Sequence, residues 1–156
     1  MSTRTATDTD LGVLLTLATG TFKDRLHAHL AASGYDDLGP SFGFVFRSLA
    51  DRPLSLAELA TRLGISSQGA LKIVAEMEER GYVERRDDEV DRRIRRLLLT
   101  TRGRAALREA RRFHARVERD LVTMLGTTKV AGARAVLEAL AGDVTDATWA
   151  SVARPF

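Results

Sequence analysis

Cysteine is absent from the 156 residues, which excludes disulfides, thiolate metal sites and any thiol-based redox switch within the chain. Prolines are few, and Pro40 and Pro53 fall where elements are expected to begin or break. Nowhere do apolar residues approach the roughly 18 consecutive positions that a membrane span requires. The N-terminus MSTRTATDTD also lacks the apolar core of a signal peptide, so a cytoplasmic protein without membrane association is expected. No Gly-rich phosphate loop, nucleophile elbow or H-E-x-x-H pattern occurs, and no enzyme is expected. His27 and His29 are two residues apart on an expected helix and therefore point to different faces, while His114 is remote in sequence. Neither a metal site nor a cofactor is expected.

What the chain does have is 44% hydrophobic residues, enough for one domain with a real core, and an uneven charge distribution. Net charge is +3, yet 14 of the 24 basic residues are arginines between Arg80 and Arg119, against 7 acids there, a local excess of +7. The planar guanidinium fork suits phosphate oxygens and guanine edges better than an ammonium does. A solvated basic face in an arginine-rich chain would explain the composition equally well, so position has to decide.

Leu11, Leu14, Leu15, Ala18, Phe22 and Leu26 recur at helical spacing, which predicts an amphipathic helix over residues 10–32 ending near Gly34. Pro40 suits the first turn of a second helix carrying Phe42, Val45, Phe46 and Leu49. Ser55-Leu-Ala-Glu58 has capping-box spacing, so a third helix starts near Leu56 with a stripe of Leu56, Leu59, Ala60 and Leu63 and ends at Gly64. Ser66 can cap the next helix at once; its buried stripe is Ala70, Ile73, Val74 and Met77, and Gly81 ends it. Two short helices joined by so brief a glycine turn form a helix-turn-helix. Tyr82 to Arg86 and Ile94 to Leu99 then pair as a hairpin around Asp87 to Arg93. Thr100 can cap a long helix through Leu107, Ala110, Phe113, Val117, Leu121 and Met124, and a last helix after Gly126 carries Val130, Val136, Leu137 and Leu140.

A helix-turn-helix places its second helix in a major groove with its first turns at base edges. The outward residues here are Ser67, Gln68, Leu71, Lys72 and Glu76. Gln68 can bond adenine bidentately, Ser67 can reach base or phosphate, Lys72 can take phosphate or guanine, and Leu71 can touch a thymine methyl. Plain polar residues on a first turn would look the same, and the helix alone leaves the two readings even. The hairpin tips the balance, because two residues would have sufficed to reverse the chain. Its long tip instead holds Asp91, Arg92 and Arg93. An arginine in a narrow minor groove meets enhanced negative potential, and a neighbouring carboxylate can hold its guanidinium in one orientation.

The stretch LAELATRLGISSQGALKIVAEMEERGYVERR, followed by Asp91-Arg92-Arg93 and then Leu97, Leu99, Thr100 and Gly103, resembles the MarR family of bacterial winged-helix regulators, with its D-x-R…L-x-L-T-x-x-G wing signature. The resemblance implies a mainly α fold with a small β-hairpin wing: one domain over 1–156, a winged helix-turn-helix lobe over 39–100, and dimerisation helices over 10–32 and 104–154. It makes Arg93 the minor-groove arginine, Asp91 its orienting partner and residues 66–76 the recognition helix. The implied contact set is Ser66, Ser67, Gln68, Leu71, Lys72, Arg86, Asp91, Arg92, Arg93 and Arg95. Two departures stand out: an acidic tip, Asp87-Asp88-Glu89, where such wings often have a proline-containing turn, and Arg96 where an apolar residue is more usual. Family members also hold small, often aromatic ligands beside the dimerising helices. Phe22, His27, Phe42 and Phe46 are candidates to line such a pocket, with plain core packing as the alternative for each.

The function expected is a homodimeric, sequence-specific regulator of double-stranded DNA, a repressor released by a small ligand and reading an inverted-repeat operator. The alternative is a winged helix that docks an acidic protein partner. Apolar stripes at both ends, including Trp149, lack a partner in one small winged helix and point to the dimer.

Overall fold

In the computed structural model residues 9–142 are described, and they fall into two compact units, one ending at Asp36 and the other beginning at Asp37. Trp149 and the expected helical stretch 143–154 lie outside the described residues. The first unit is the helix α1, Leu11–Ala32. Val13 and Leu17, outside the expected stripe, are exposed along with Leu11 and Leu14, while Leu15, Phe22 and Leu26 of that stripe are half-buried.

The second unit runs α2 (Phe42–Ser48), β1 (Leu54–Ser55), α3 (Leu56–Leu63), α4 (Ser67–Glu79), β2 (Val83–Asp87), β3 (Arg95–Leu99), α5 (Thr101–Leu125) and α6 (Thr127–Ala141). Pro40 sits in the turn before α2 rather than in its first turn, since Ser41 is the N-cap. The strands form an antiparallel sheet in the order β1-β3-β2, with Leu54 opposite Leu97, Val83 opposite Leu99 and Asp87 opposite Arg95. β1 was not foreseen. It is two residues long, too short to show alternation, and becomes a strand only because β3 lies beside it.

The helix-turn-helix forms as its sequence signals require. Ser55 Oγ accepts the Glu58 N–H at 3.2 Å while a Glu58 oxygen accepts the Ser55 N–H at 2.7 Å, completing the capping box. Gly64, at φ 63°, closes α3 in the left-handed conformation that costs a glycine nothing, and Ile65 N–H reaches back to the Ala60 carbonyl at 3.1 Å. Ser66 Oγ then accepts the Gly69 N–H at 3.0 Å to begin α4. α4 ends the same way: Gly81 has φ 73°, and the Tyr82 N–H donates to the Met77 carbonyl at 2.8 Å. That bond spends the Tyr82 N–H on helix closure, which is why the hairpin starts at Val83, one residue later than expected.

The core lies where these elements converge. Leu59, Ala60 and Leu63 of α3 and Ala70, Val74 and Met77 of α4 are buried with Leu97 and Leu99 of β3. Phe42, Phe46 and Tyr82 meet edge to face, with ring centroids 5.6 to 6.5 Å apart. Of the stripe expected along the long helix, Phe113 is buried, Leu107, Ala110 and Val117 are half-buried, and Leu121 and Met124 are exposed; Ala106, outside that stripe, is buried. α6 buries none of its residues.

α5 approaches the base of the wing so closely that its third residue can only be glycine. A Cβ at Gly103 would overlap the Tyr82 carbonyl oxygen. Gly103→Ala should therefore cost about 2 to 3 kcal/mol, because the obstacle is backbone and cannot swing away. Urea denaturation would read the loss as a lower midpoint. An unchanged midpoint would show that α5 can slide at no cost.

Candidate nucleic-acid interface

α4 carries its polar first turn outward. Ser66, Ser67, Gln68, Leu71 and Lys72 are all exposed, Leu71 at 41%, while Ala70, Val74 and Met77 turn into the core. The 3.6-residue period thus separates an exposed polar face from a packing face on one helix. Glu76, the last of the expected outward set, is drawn to Arg80 by a 2.5 Å ion pair. Lys72 is the one lysine or arginine on α4, so the helix surface offers hydrogen-bonding and apolar groups more than charge.

The wing holds its arginines in two different conditions. Arg95 pairs with Asp87 across the hairpin at 3.2 Å, and Arg86 bonds Glu84 on its own strand. Arg92 and Arg93 are exposed at the tip, and among the described residues neither guanidinium makes an ion pair. Asp91 sits beside Arg93 as expected, but its carboxylate accepts the Arg93 backbone N–H, at 3.0 Å, rather than the guanidinium. The aspartate shapes the turn that carries the arginine, and leaves the arginine's charge available.

The two departures from the wing pattern turn out to be partners. Arg96 Nε donates to Asp88 Oδ2 at 2.5 Å, and Arg96 Nη1 donates to Glu58 Oε2 at 2.6 Å. Asp88 Oδ1 in turn accepts the N–H groups of Val90 and Asp91 at 2.9 and 3.0 Å, an Asx turn that shapes the tip. An unusual cation and an unusual acid therefore form one assembly. Sequence spacing could not pair them with Glu58, which lies 38 residues from Arg96. On the other side of the lobe, Arg85 clasps Glu78 at 3.0 Å and ties β2 to the end of α4.

A third set joins the base of the wing to the loop ahead of α2. Tyr82 Oη donates to Asp37, and Arg102 bonds Asp37 Oδ1 at 3.1 Å and Tyr82 Oη at 3.0 Å, its guanidinium 4.7 Å from the Tyr82 ring centroid. Burial first, and the Asp37 carboxylate second, push the Tyr82 hydroxyl up to about 12, so it stays a donor at any ordinary pH. Of the expected pocket residues, Phe42 and Phe46 lie in the core at 1% and 4% exposure, packed on each other and on Tyr82. Phe22 and His27 lie on α1, in the other unit. Among the described residues no group of three or more His, Cys, Asp and Glu side chains could hold a metal ion.

Residues 44–94, from α2 through the wing tip, match the model of the MarR family. Over 53 residues the chain is 45% identical to the transcriptional repressor MprA of Escherichia coli, a match spanning 34% of this chain and 30% of that protein's length. Among solved structures, FabT of Streptococcus pneumoniae in complex with DNA superimposes with a TM-score of 0.68 at 21% identity, covering 84% of this chain and 94% of FabT. The reduced form of MarR from E. coli gives a TM-score of 0.65 at 20% identity, over 85% and 96% of the two chains. At such identities the likeness is one of fold, a winged helix-turn-helix.

The carboxylates of the wing assembly should mark themselves on titration. Glu58 is held down at about 2, first by the Ser55 N–H, with burial opposing, then by the Ser55 hydroxyl, Arg52 and Arg96. Asp88 is also held at about 2, first by Arg96 and then by the Asp91 and Val90 N–H groups. Both values lie below the ordinary 4.5 and 3.8, so the stability these groups add is complete above about pH 4.5 and is lost as pH falls toward 2. In Arg96→Leu, NMR titration of the carboxyl carbons should find Asp88 moved up toward 3.8 while Glu58 stays low, since its main support is Ser55. Equal movement of the two would mean that Arg96, not the capping box, governs Glu58.

Proposed function

We propose that the chain, whose residues 44–94 match the model of the MarR family, is a homodimeric transcriptional repressor of that family that binds double-stranded DNA in a sequence-specific way and is released by a small ligand. The observation that carries the reading is the pairing, on one lobe, of a helix whose exposed first turns are built for base edges with a hairpin whose tip arginines are unpaired. In this reading α4 enters the major groove: Gln68 bonds adenine, Leu71 meets a thymine methyl, and Ser66, Ser67 and Lys72 take phosphate or base. Arg93 enters the adjacent minor groove, with Arg92 beside it and Arg86 and Arg95 toward the phosphates. FabT was solved on DNA and MprA is named a repressor, which supports the same role here. Release by a small ligand rests on the family resemblance alone.

Dimer formation is supported by the apolar surface that the single chain leaves in water. Leu11, Leu14 and Leu17 on α1, and separately Met124 of α5 with Val136, Leu137 and Leu140 of α6, are between 45% and 74% exposed. Patches of this kind on a soluble chain mark interfaces. A two-fold pair of lobes would set its recognition helices in successive major grooves, with inverted half-sites about 10 base pairs apart.

Selection of binding sites from random duplex with the purified protein is the deciding experiment, and a steep loss of affinity with salt should accompany it. Sites without a dyad, or sedimentation as a monomer at micromolar concentration, would refute the dimeric reading. Salt-insensitive binding confined to acidic proteins would refute the DNA reading itself.

Two substitutions separate the proposed contacts. Arg93→Ala should weaken operator binding strongly without lowering thermal stability, because an exposed tip contributes little to the core. Wild-type affinity in gel shifts at fixed salt would transfer the role to Arg92. Gln68→Ala should cost about 1 to 3 kcal/mol on the preferred site and relax preference at one base pair, with non-specific binding nearly unchanged. A uniform loss on all sequences would make Gln68 a phosphate contact instead.

A further inference from the structure

Between the wing and the start of α3 lies an open groove of about 520 Å³, lined among others by Arg52, Pro53, Glu58, Asp88, Val90 and Arg96. Arg96 spans it. We infer that Arg96 is a positioning residue for DNA binding: it fixes the wing tip to the helix-turn-helix, so that the tip arginines and α4 meet the duplex as one preset surface. This rests on the DNA-binding reading proposed above.

The linkage can be followed bond by bond. Glu58 is immobilised by its own capping box, with bonds of 2.7 and 3.2 Å to Ser55, and so serves as a fixed post on α3. Arg96 holds that post with Nη1 and, with Nε, holds Asp88. Asp88 gathers the N–H groups of Val90 and Asp91, and its own N–H donates to the Ile94 carbonyl at 2.9 Å. Asp91 accepts the Arg93 N–H, and its carbonyl accepts the Ile94 N–H at 2.9 Å. Every residue from Asp88 to Ile94 except Glu89 and Arg92 is thus bonded, within this set, to the assembly that ends on α3. A charged pair on open surface is worth little, but Arg96 is 29% exposed, Asp88 is 15% exposed, and the guanidinium satisfies two carboxylates at once. A tip ordered in the free protein does not have to be ordered on the duplex, so backbone entropy that would oppose binding is already spent in folding. An apolar residue at this position would leave the tip untethered.

The test uses the full-length protein on its selected operator, with Arg96→Leu, Arg93→Ala, the double variant and Asp88→Asn. Arg96→Leu should lose roughly tenfold in affinity, a loss of the size expected when preorganisation is removed from a few residues. Its thermal midpoint should stay within a few degrees of wild type. Hydroxyl-radical footprinting should lose protection in the flanking minor grooves and keep it at the central major-groove contacts. The double variant should bind no more weakly than Arg93→Ala alone, because Arg96 acts through the tip. Asp88→Asn, which keeps the turn but weakens the link to Arg96, should repeat the footprint change and covers the case in which Arg96→Leu folds poorly. Affinity within twofold of wild type for both Arg96→Leu and Asp88→Asn, or losses that simply multiply in the double variant, would overturn the inference while leaving DNA binding intact. Failure of the wild type to select any duplex would remove both.

Discussion

Tyr82 is the point on which the second unit turns. Its N–H closes α4 on the Met77 carbonyl, its own carbonyl accepts the Thr100 N–H at 3.1 Å, and its ring packs between Phe42 and Phe46. Its hydroxyl and ring face are taken by Asp37 and Arg102. One fully buried residue therefore joins α4, the base of the wing, the start of α5 and the loop before α2. The closeness of Gly103 to its carbonyl belongs to the same junction. If the ring or the carbonyl moved, α4 and the hairpin would lose their fixed relation, and any surface they share would be lost with it.

Around that junction the arginines divide by task. Arg80, Arg85, Arg96 and Arg102 are spent inside the lobe on Glu76, Glu78, Asp88 with Glu58, and Asp37. Arg93 is held out at the tip by a backbone bond that leaves its side chain exposed, and Arg92 is exposed beside it. The local charge excess is therefore less informative than the pairing. A guanidinium already bonded to two carboxylates has few donors left for phosphate, whereas one presented on an Asx turn keeps all of its own. Acids that looked like mere solvated neighbours of the arginines are what sort them into these two groups.

The apolar surface of α1, the end of α5 and α6 has a different logic. These helices carry leucines, valines and a methionine that the single chain does not bury, and α6 buries nothing at all. Helices with so little internal burial gain little from folding alone. In the dimer proposed above, a second copy would supply the missing burial. Arrangement of α1 against a partner chain would then be part of how the lobes are spaced.

The sequence by itself determined the local events, because each depends on residues within one turn of one another: the capping box at Ser55, the αL glycines at 64 and 81, the caps at Ser66 and Thr100, and the inward and outward faces of α4. It also carried the MarR resemblance, since the helix-turn-helix and the wing signature are contiguous strings. It placed Pro40 inside the first turn of α2 where it stands just before the N-cap, missed β1, and turned the Asp91 carboxylate toward a guanidinium where it accepts a backbone N–H. What only the tertiary structure decided are the contacts between residues far apart in the chain: Arg96 with Glu58, Tyr82 with Asp37, Leu54 with Leu97, and the approach of Gly103 to Tyr82. No periodicity encodes these, because a charged or polar side chain has many chemically acceptable partners along a chain. Folding alone brings one of them within 3 Å.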